Sequence, residues 1–206
     1  MTKKTLSPAP PSEALLQLES NRYLAKFKAS LCKRWSITRM ETLYEVFDLA
    51  AFLWALERND ESLSVAASVA VSIPTPPPLS GRGFNYNLWC PATYSHALLV
   101  HLGTGTWREQ AEASRATLLR DAGIARNNPD YIADCIADAH QLAMAPVGQK
   151  SIKWECQGLS RALGRLVLYS ELAKAGDPLF KRHLKDIADL MPHLLSKLRT
   201  QLQRVQ

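Results

Sequence analysis

The sequence predicts an all-α fold: an irregular bundle or short α-solenoid of about eight helices, arranged as antiparallel hairpins and closed by a long C-terminal helix. Three observations carry that expectation. Glycine is scarce, nine in 206 residues, and most of the twelve prolines fall in the N-terminal tail and in one cluster at 74–78, so long stretches contain neither helix breaker. Apolar residues in those stretches recur at three- and four-residue spacing, the period of a helix face. Segments 49–71 and 95–117, offset by 46 residues, share one layout: an apolar helix, a short break after a leucine, then an Ala-rich helix. That offset is within the range of stacked helical hairpins, although the tetratricopeptide consensus is not met.

Residues 1–11 contain Pro8, Pro10 and Pro11 and are expected to be a disordered tail, because proline fixes φ and lacks an amide donor. The remainder, 12–206, is long enough to bury one core without disulfides or metal. Ser12 followed by Glu13 marks a helix start, and a first helix runs to about Trp35 with Leu16, Tyr23, Phe27, Leu31 and Trp35 on one stripe. A second spans about 37–58. Met40, Leu43, Phe47, Ala51 and Trp54 line one of its faces and Val46, Leu49, Leu53 and Leu56 the next, which predicts a central, enclosed helix. Asn59 and Asp60 end it. A third helix, about 61–73, is rich in small residues, and its β-branched Val65, Val69, Val71 and Ile73 leave a strand as the alternative.

Residues 74–88 read as a long loop, and loops of this length inside a compact domain are often functional. A fourth helix, about 91–102, ends at Gly103 and Gly105. A fifth, about 106–121, stops before Gly123. Asn128, Pro129 and Asp130 supply a cap, a proline at the first position and an acid in the first turn of a sixth helix that reaches about Ala145. A seventh runs from about Ser151 to Ala175 and closes at Gly176. Asp177 and Pro178 repeat the cap-then-proline start. The last helix, about 178–204, sets Phe180, Leu184, Ile187, Met191, Leu194, Leu198 and Leu202 at near-heptad spacing, with a kink expected at Pro192.

No apolar run is long enough for a transmembrane helix, and the N-terminus lacks the apolar core of a secretory signal. Cys32, Cys90, Cys135 and Cys156 are far apart and form no CxxC pair, so reduced thiols and a cytoplasmic location are expected. Charge is uneven. Residues 1–39 carry a net +6, residues 40–173 a net −4 and residues 174–206 a net +4. Lys181, Arg182 and Lys185, and again Lys197 and Arg199, cluster in the last helix. They allow nucleic-acid binding as one reading and stabilisation of helix C-termini as another.

No HExxH, ExxH pair, GxSxG, P-loop or GxGxxG occurs, and His96, His101, His140, His183 and His193 have no spacing that pairs a base with a nucleophile. The expectation is a protein without catalysis, metal or cofactor. Two segments are candidates for binding. Residues 79–89 (LSGRGFNYNLW) bring Arg82, Asn85, Tyr86 and Asn87 to a loop together with Phe84 and Trp89, and Tyr, Trp and Arg are the usual anchors of interfaces. Phe84 and Trp89 equally suit the groove between hairpins. Asp130, Asp134 and Asp138 recur four residues apart on the sixth helix, so they share a face and repel one another. Either a basic partner relieves that repulsion, or solvent and a neighbouring helix's Arg or Lys do.

The layout over residues 42–120, an apolar helix, an Ala-rich second helix and the string Gly83-Phe84-Asn85-Tyr86-Asn87-Leu88-Trp89, resembles small helical bacterial immunity proteins of polymorphic or contact-delivered toxin systems. The resemblance implies a non-catalytic protein that binds a secreted toxin domain and occludes its active site. Many immunity proteins against nucleases are acidic, whereas this chain is net basic, which leaves the toxin's class open. The alternatives are a structural or adaptor protein that forms a homodimer through the last helix, and a nucleic-acid binder.

Overall fold

The computed structural model describes residues 11–36, 40–72, 86–125, 129–148 and 151–204. Over these residues the chain is all-α, in ten helices: α1 (Glu13–Leu16), α2 (Arg22–Lys33), α3 (Met40–Ala55), α4 (Asn59–Ser72), α5 (Tyr86–Leu102), α6 (Arg108–Ala125), α7 (Pro129–Met144), α8 (Ile152–Lys174), α9 (Pro178–Lys181) and α10 (Leu184–Gln203). A 3₁₀ turn, Gly105–Trp107, joins α5 to α6. No strand occurs among the described residues, and segment 61–72 is helix; Ile73 lies outside the described residues.

Consecutive helices pack as hairpins, α3 on α4, α4 on α5, α5 on α6 and α7 on α8, and α8 touches α3, α5, α7, α9 and α10. The sequence of α8 suits this central place. Cys156, Leu159, Leu163, Leu166, Val167, Leu168 and Leu172 are all buried, and its buried polar positions include the small Ser160 and Ser170. At Gly164 a Cβ would lie 2.8 Å from Phe47 Cε1 and Cζ and from Tyr94 Cδ2. The missing side chain lets the α3 and α5 rings meet edge to face at 5.5 Å over the α8 backbone. The near-heptad stripe of α10 is used inside the chain: Ile187, Leu194, Leu198 and Leu202 are fully enclosed, and α10 packs on α8, α7 and α3.

Charged side chains hold the helix ends. Arg199 Nε donates to the carbonyl of Ala55 at the end of α3 (2.6 Å) and its guanidinium pairs with Glu57 (2.9 Å). Lys197 donates to the carbonyls of Leu142 and Ala145 at the end of α7, the second at 2.6 Å. The basic pair at 197 and 199 therefore stabilises helix C-termini. Asn21 Nδ2 donates to the carbonyl of Leu202 (3.0 Å), tying the start of α2 to the end of α10.

Several element boundaries differ from the sequence reading, each for a local reason. The first predicted helix is broken between α1 and α2. Asn21 Oδ1 accepts from the amides of Tyr23 and Leu24 and restarts the helix. Glu19 turns inward to Arg58 (2.7 Å) and Lys28 (3.3 Å). Burial pushes the Glu19 carboxyl up, but the hydrogen bonds from Arg58 and the Asn21 amide and the Arg58 charge outweigh it and hold it below its ordinary value. Asn59 and Asp60 start α4 and do not end α3; the reversal is at Glu57, whose φ is +63°. α5 begins at Tyr86, five residues before Pro91, because a proline near the start of a long packed helix removes only one ladder bond. α6 passes Gly123 and ends at Ala125. The last predicted helix divides at Arg182 and His183, where φ −101° and ψ 1° at His183 open the ladder for one turn.

Placing a methyl at Gly164 is expected to destabilise the protein by about 1–3 kcal/mol, the usual effect of overpacking a filled core. Urea unfolding of Gly164→Ala checks this. The control is Gly176→Ala at the end of α8, where φ is +92° but a Cβ meets nothing within 4 Å; its loss should be about 1 kcal/mol and purely conformational.

Candidate functional site

A cleft of about 1000 Å³ lies between α7, α8 and α10. The α8 residues Trp154, Gln157, Arg161 and Arg165 form one wall, Asp138 and Leu142 of α7 the other, and Lys197 of α10 closes one side. Its floor is apolar, with Leu159 and Ala162 buried. Trp154 at the rim is 68% exposed, the most exposed aromatic ring among the described residues. The two arginines are four residues apart on α8, hence on one face.

Arg161 joins this cleft to a polar group buried in the core. Asp48, in the middle of α3, is fully enclosed. Its Oδ1 accepts a hydrogen bond from Ser160 Oγ, and its Oδ2 accepts none. The nearest cation is the Arg161 guanidinium, 3.7 Å from Oδ2, which is ion-pair range but beyond a hydrogen bond. The guanidinium lies over the Tyr44 ring, 4.8 Å from its centroid, while Arg161 Nε makes no hydrogen bond. Burial pushes the Asp48 carboxyl up to about 7, against the lowering effects of Arg161 and Ser160. Glu155 and Lys197 have structural duties in the same cleft. Glu155 accepts from the Gly148 amide (3.1 Å) and from Gln201. Burial holds the Lys197 ammonium below its ordinary value, opposed by Glu155.

Those of the expected binding residues that are described fall on two helices, α5 and α7. Arg82 and Asn85 lie outside the described residues. Tyr86 and Asn87 are in the first turn of α5, part of the hairpins that α5 makes with α4 and α6, whereas the aspartate row is on α7, packed on α8 and α10. Asp130 is in the first turn of α7, and Asp134 and Asp138 are exposed. Asp138 lines the cleft, across from Arg161 and Arg165, and Asp134 does not. Asp48, Trp154, Ser160, Arg161 and Arg165 were not singled out from sequence. Two signals mark them: an acid in the apolar centre of α3, and two arginines one turn apart in an otherwise buried helix.

Elsewhere, polar contacts bridge helices. Ser114 Oγ is 3.0 Å from His96 Nδ1, a pair that a spacing of 18 residues does not reveal; Ser114 is buried and neither residue lines the cleft. His101 Nδ1 and Lys174 Nζ both reach Glu171 Oε1, at 2.8 and 2.6 Å. Burial raises the Cys156 thiol to about 12, so it is not a thiolate at neutral pH. Among the described residues no group of three or more His, Cys, Asp or Glu side chains could hold a metal ion, and no helix is long and apolar enough to cross a membrane. Comparison with protein-family models, curated proteins and solved structures finds no match to this chain.

Asp48 sets a pH dependence. Its folded value, about 7, is above the ordinary 3.8, so the native state keeps a proton that the unfolded chain releases between those values. Stability from this group therefore falls as pH rises from about 4 to 7 and is level above. Glu19 and Glu171, both held low, act in the opposite sense and mainly below pH 5. Urea unfolding should show wild type losing roughly 2 kcal/mol between pH 5 and 7, with that slope absent from Asp48→Asn. An equal slope in both proteins would assign the effect to other groups.

Proposed function

We propose that this chain is a non-catalytic immunity protein that acts in the cytoplasm, binding a toxin domain and covering its active site with the α7–α8–α10 face. One observation carries the reading: an exposed tryptophan, Trp154, on the rim of the same cleft as the partly buried Arg161 and Arg165. Trp and Arg are the residue types that dominate binding energy at protein interfaces, especially beside desolvated pockets. A large ring held 68% in water contributes little to this fold and much to a partner. Asp134 and Asp138 extend the face along α7 and supply the opposite charge at its edge.

The mechanism needs no bond chemistry on this side. A rigid helical surface burying on the order of 1,600 Å² in total excludes substrate from the toxin's cleft. Tyr86 and Asn87, on another hairpin, with Arg82 and Asn85 before them in sequence, are a separate candidate contact and are not needed for this one.

Where a gene for a secreted toxic domain lies beside this one, co-expression with that domain should restore growth of a sensitive host. Trp154→Ala should weaken the complex by about 2 kcal/mol in calorimetric titration while unfolding within about 0.5 kcal/mol of wild type. Growth that is equally poor with and without this protein overturns the immunity reading.

A further inference from the structure

We propose that the α7–α8–α10 cleft is a receptor for a carboxylate: an Asp or Glu side chain of a polypeptide partner, flanked by an apolar residue, with Arg161 as its anchor. The inference deepens the binding-protein reading above and rests on it. It starts from the state of Arg161. This side chain is 38% exposed and lines the cleft, yet its contacts are an ion pair at 3.7 Å and the face of Tyr44. None of these is a hydrogen bond, and Nε is buried without one. A guanidinium presents N–H donors in a planar fork that matches a carboxylate, and with Nε enclosed it is the terminal Nη donors that are available to a ligand.

The surroundings select the ligand. Lys197 is engaged by the α7 carbonyls and Glu155 by Gly148 and Gln201, so neither is the main reader of charge. Asp138 and Glu155 place two negative charges in the same cleft, which disfavours a phosphate dianion more than a single carboxylate. Leu142, Leu159, Ala162 and the Trp154 rim suit an apolar neighbour on the ligand.

Asp48 gives the site a signature that a simple basic patch lacks. The titratable and charged groups around it are Glu45 on α3 itself, Tyr23 from α2, and Cys156 and Arg161 from α8, with Ser160 and Gln157 as hydrogen-bonding neighbours. Arg34 reaches Glu45 at 2.8 Å. Burial raises the Tyr23 hydroxyl and the Cys156 thiol well above neutrality, so both stay uncharged. Arg58 and Arg199 act further along, at Glu19, Glu61, Ala55 and Glu57, and α5 brings His101 to Trp54. Arg161 is thus the leading charge that keeps Asp48 from rising further. A ligand carboxylate that neutralises Arg161 removes that restraint, and Asp48 takes a proton from solvent. Binding near neutral pH is then coupled to proton uptake and strengthens as pH falls toward 6.

The test is NMR titration of the full chain, following the Arg161 side-chain Nε–H and the Trp154 indole N–H. The probes are the blocked peptide acetyl-Leu-Asp-Leu-amide, its Leu-Asn-Leu counterpart and inorganic phosphate. The Asp peptide should shift both signals to saturation, bind about tenfold or more tighter than the Asn peptide, and bind at least about threefold tighter at pH 6 than at pH 8. Arg161→Gln should erase the preference for Asp over Asn, Arg161→Lys should restore part of it, and Asp48→Asn should flatten the pH dependence. Equal binding of the two peptides, an unmoved Arg161 signal, or tighter binding of phosphate overturns the proposal. The two readings fail separately. Peptide binding without toxin rescue removes the immunity reading and leaves the carboxylate site, whereas full rescue by Arg161→Gln removes the carboxylate site and leaves the immunity reading.

Discussion

Gly164 lets two aromatic rings onto the backbone of α8, and the placement of the remaining helices follows from that close approach. Phe47 of α3 and Tyr94 of α5 occupy the space a side chain would fill, 2.8 Å from where its Cβ would be. The α3–α4 and α5–α6 hairpins are thereby drawn onto α8, and α10, with Ile187, Leu194, Leu198 and Leu202 enclosed, packs on it as well. A helix packed by so many neighbours has little surface left for solvent. The part of α8 that remains open, around Trp154, Arg161 and Arg165, forms the wall of the cleft. Core packing and candidate site are thus two sides of one helix.

The same helix explains why a charged group is tolerated at the centre. Asp48 faces α8 where Ser160 can donate to it and Arg161 can approach from the cleft. An isolated buried carboxylate is strongly unfavourable, and the protein meets that penalty partly by a hydrogen bond, partly by an incomplete ion pair and partly by letting the group keep its proton near neutrality. Incompleteness is the useful property. A bidentate Asp48–Arg161 bridge would lock the guanidinium inward, whereas at 3.7 Å Asp48 takes up none of its donors in a hydrogen bond.

Much of the architecture was legible in the sequence because it is written locally. Asn128, Pro129 and Asp130 announce α7, Gly176 closes α8, and Asp177 caps α9 through the Leu179 amide at 3.1 Å. The breaks that were misplaced depend on distant partners. Glu19 leaves the helical path to meet Arg58, 39 residues away, and no periodicity within 12–35 contains that contact. Pro91 reads as a helix start, yet α5 begins five residues before it, at Tyr86. The candidate site was less legible still. Asp48 and Arg161 are 113 positions apart, and only the fold sets them on facing helices. The aspartate row was visible, but nothing in its spacing says that Asp138 opens onto a cleft while Asp134 does not.

We propose that the open side of α8 is the working surface of this protein. Hydrogen–deuterium exchange of the chain, alone and with a toxin domain that it neutralises in co-expression, tests it most directly. Slowed amide exchange confined to α7 from Asp134 onward, the first half of α8 and the α10 segment around Lys197 is the predicted footprint. Protection centred on α4 or on the α5–α6 hairpin, with those three segments unchanged, would contradict it.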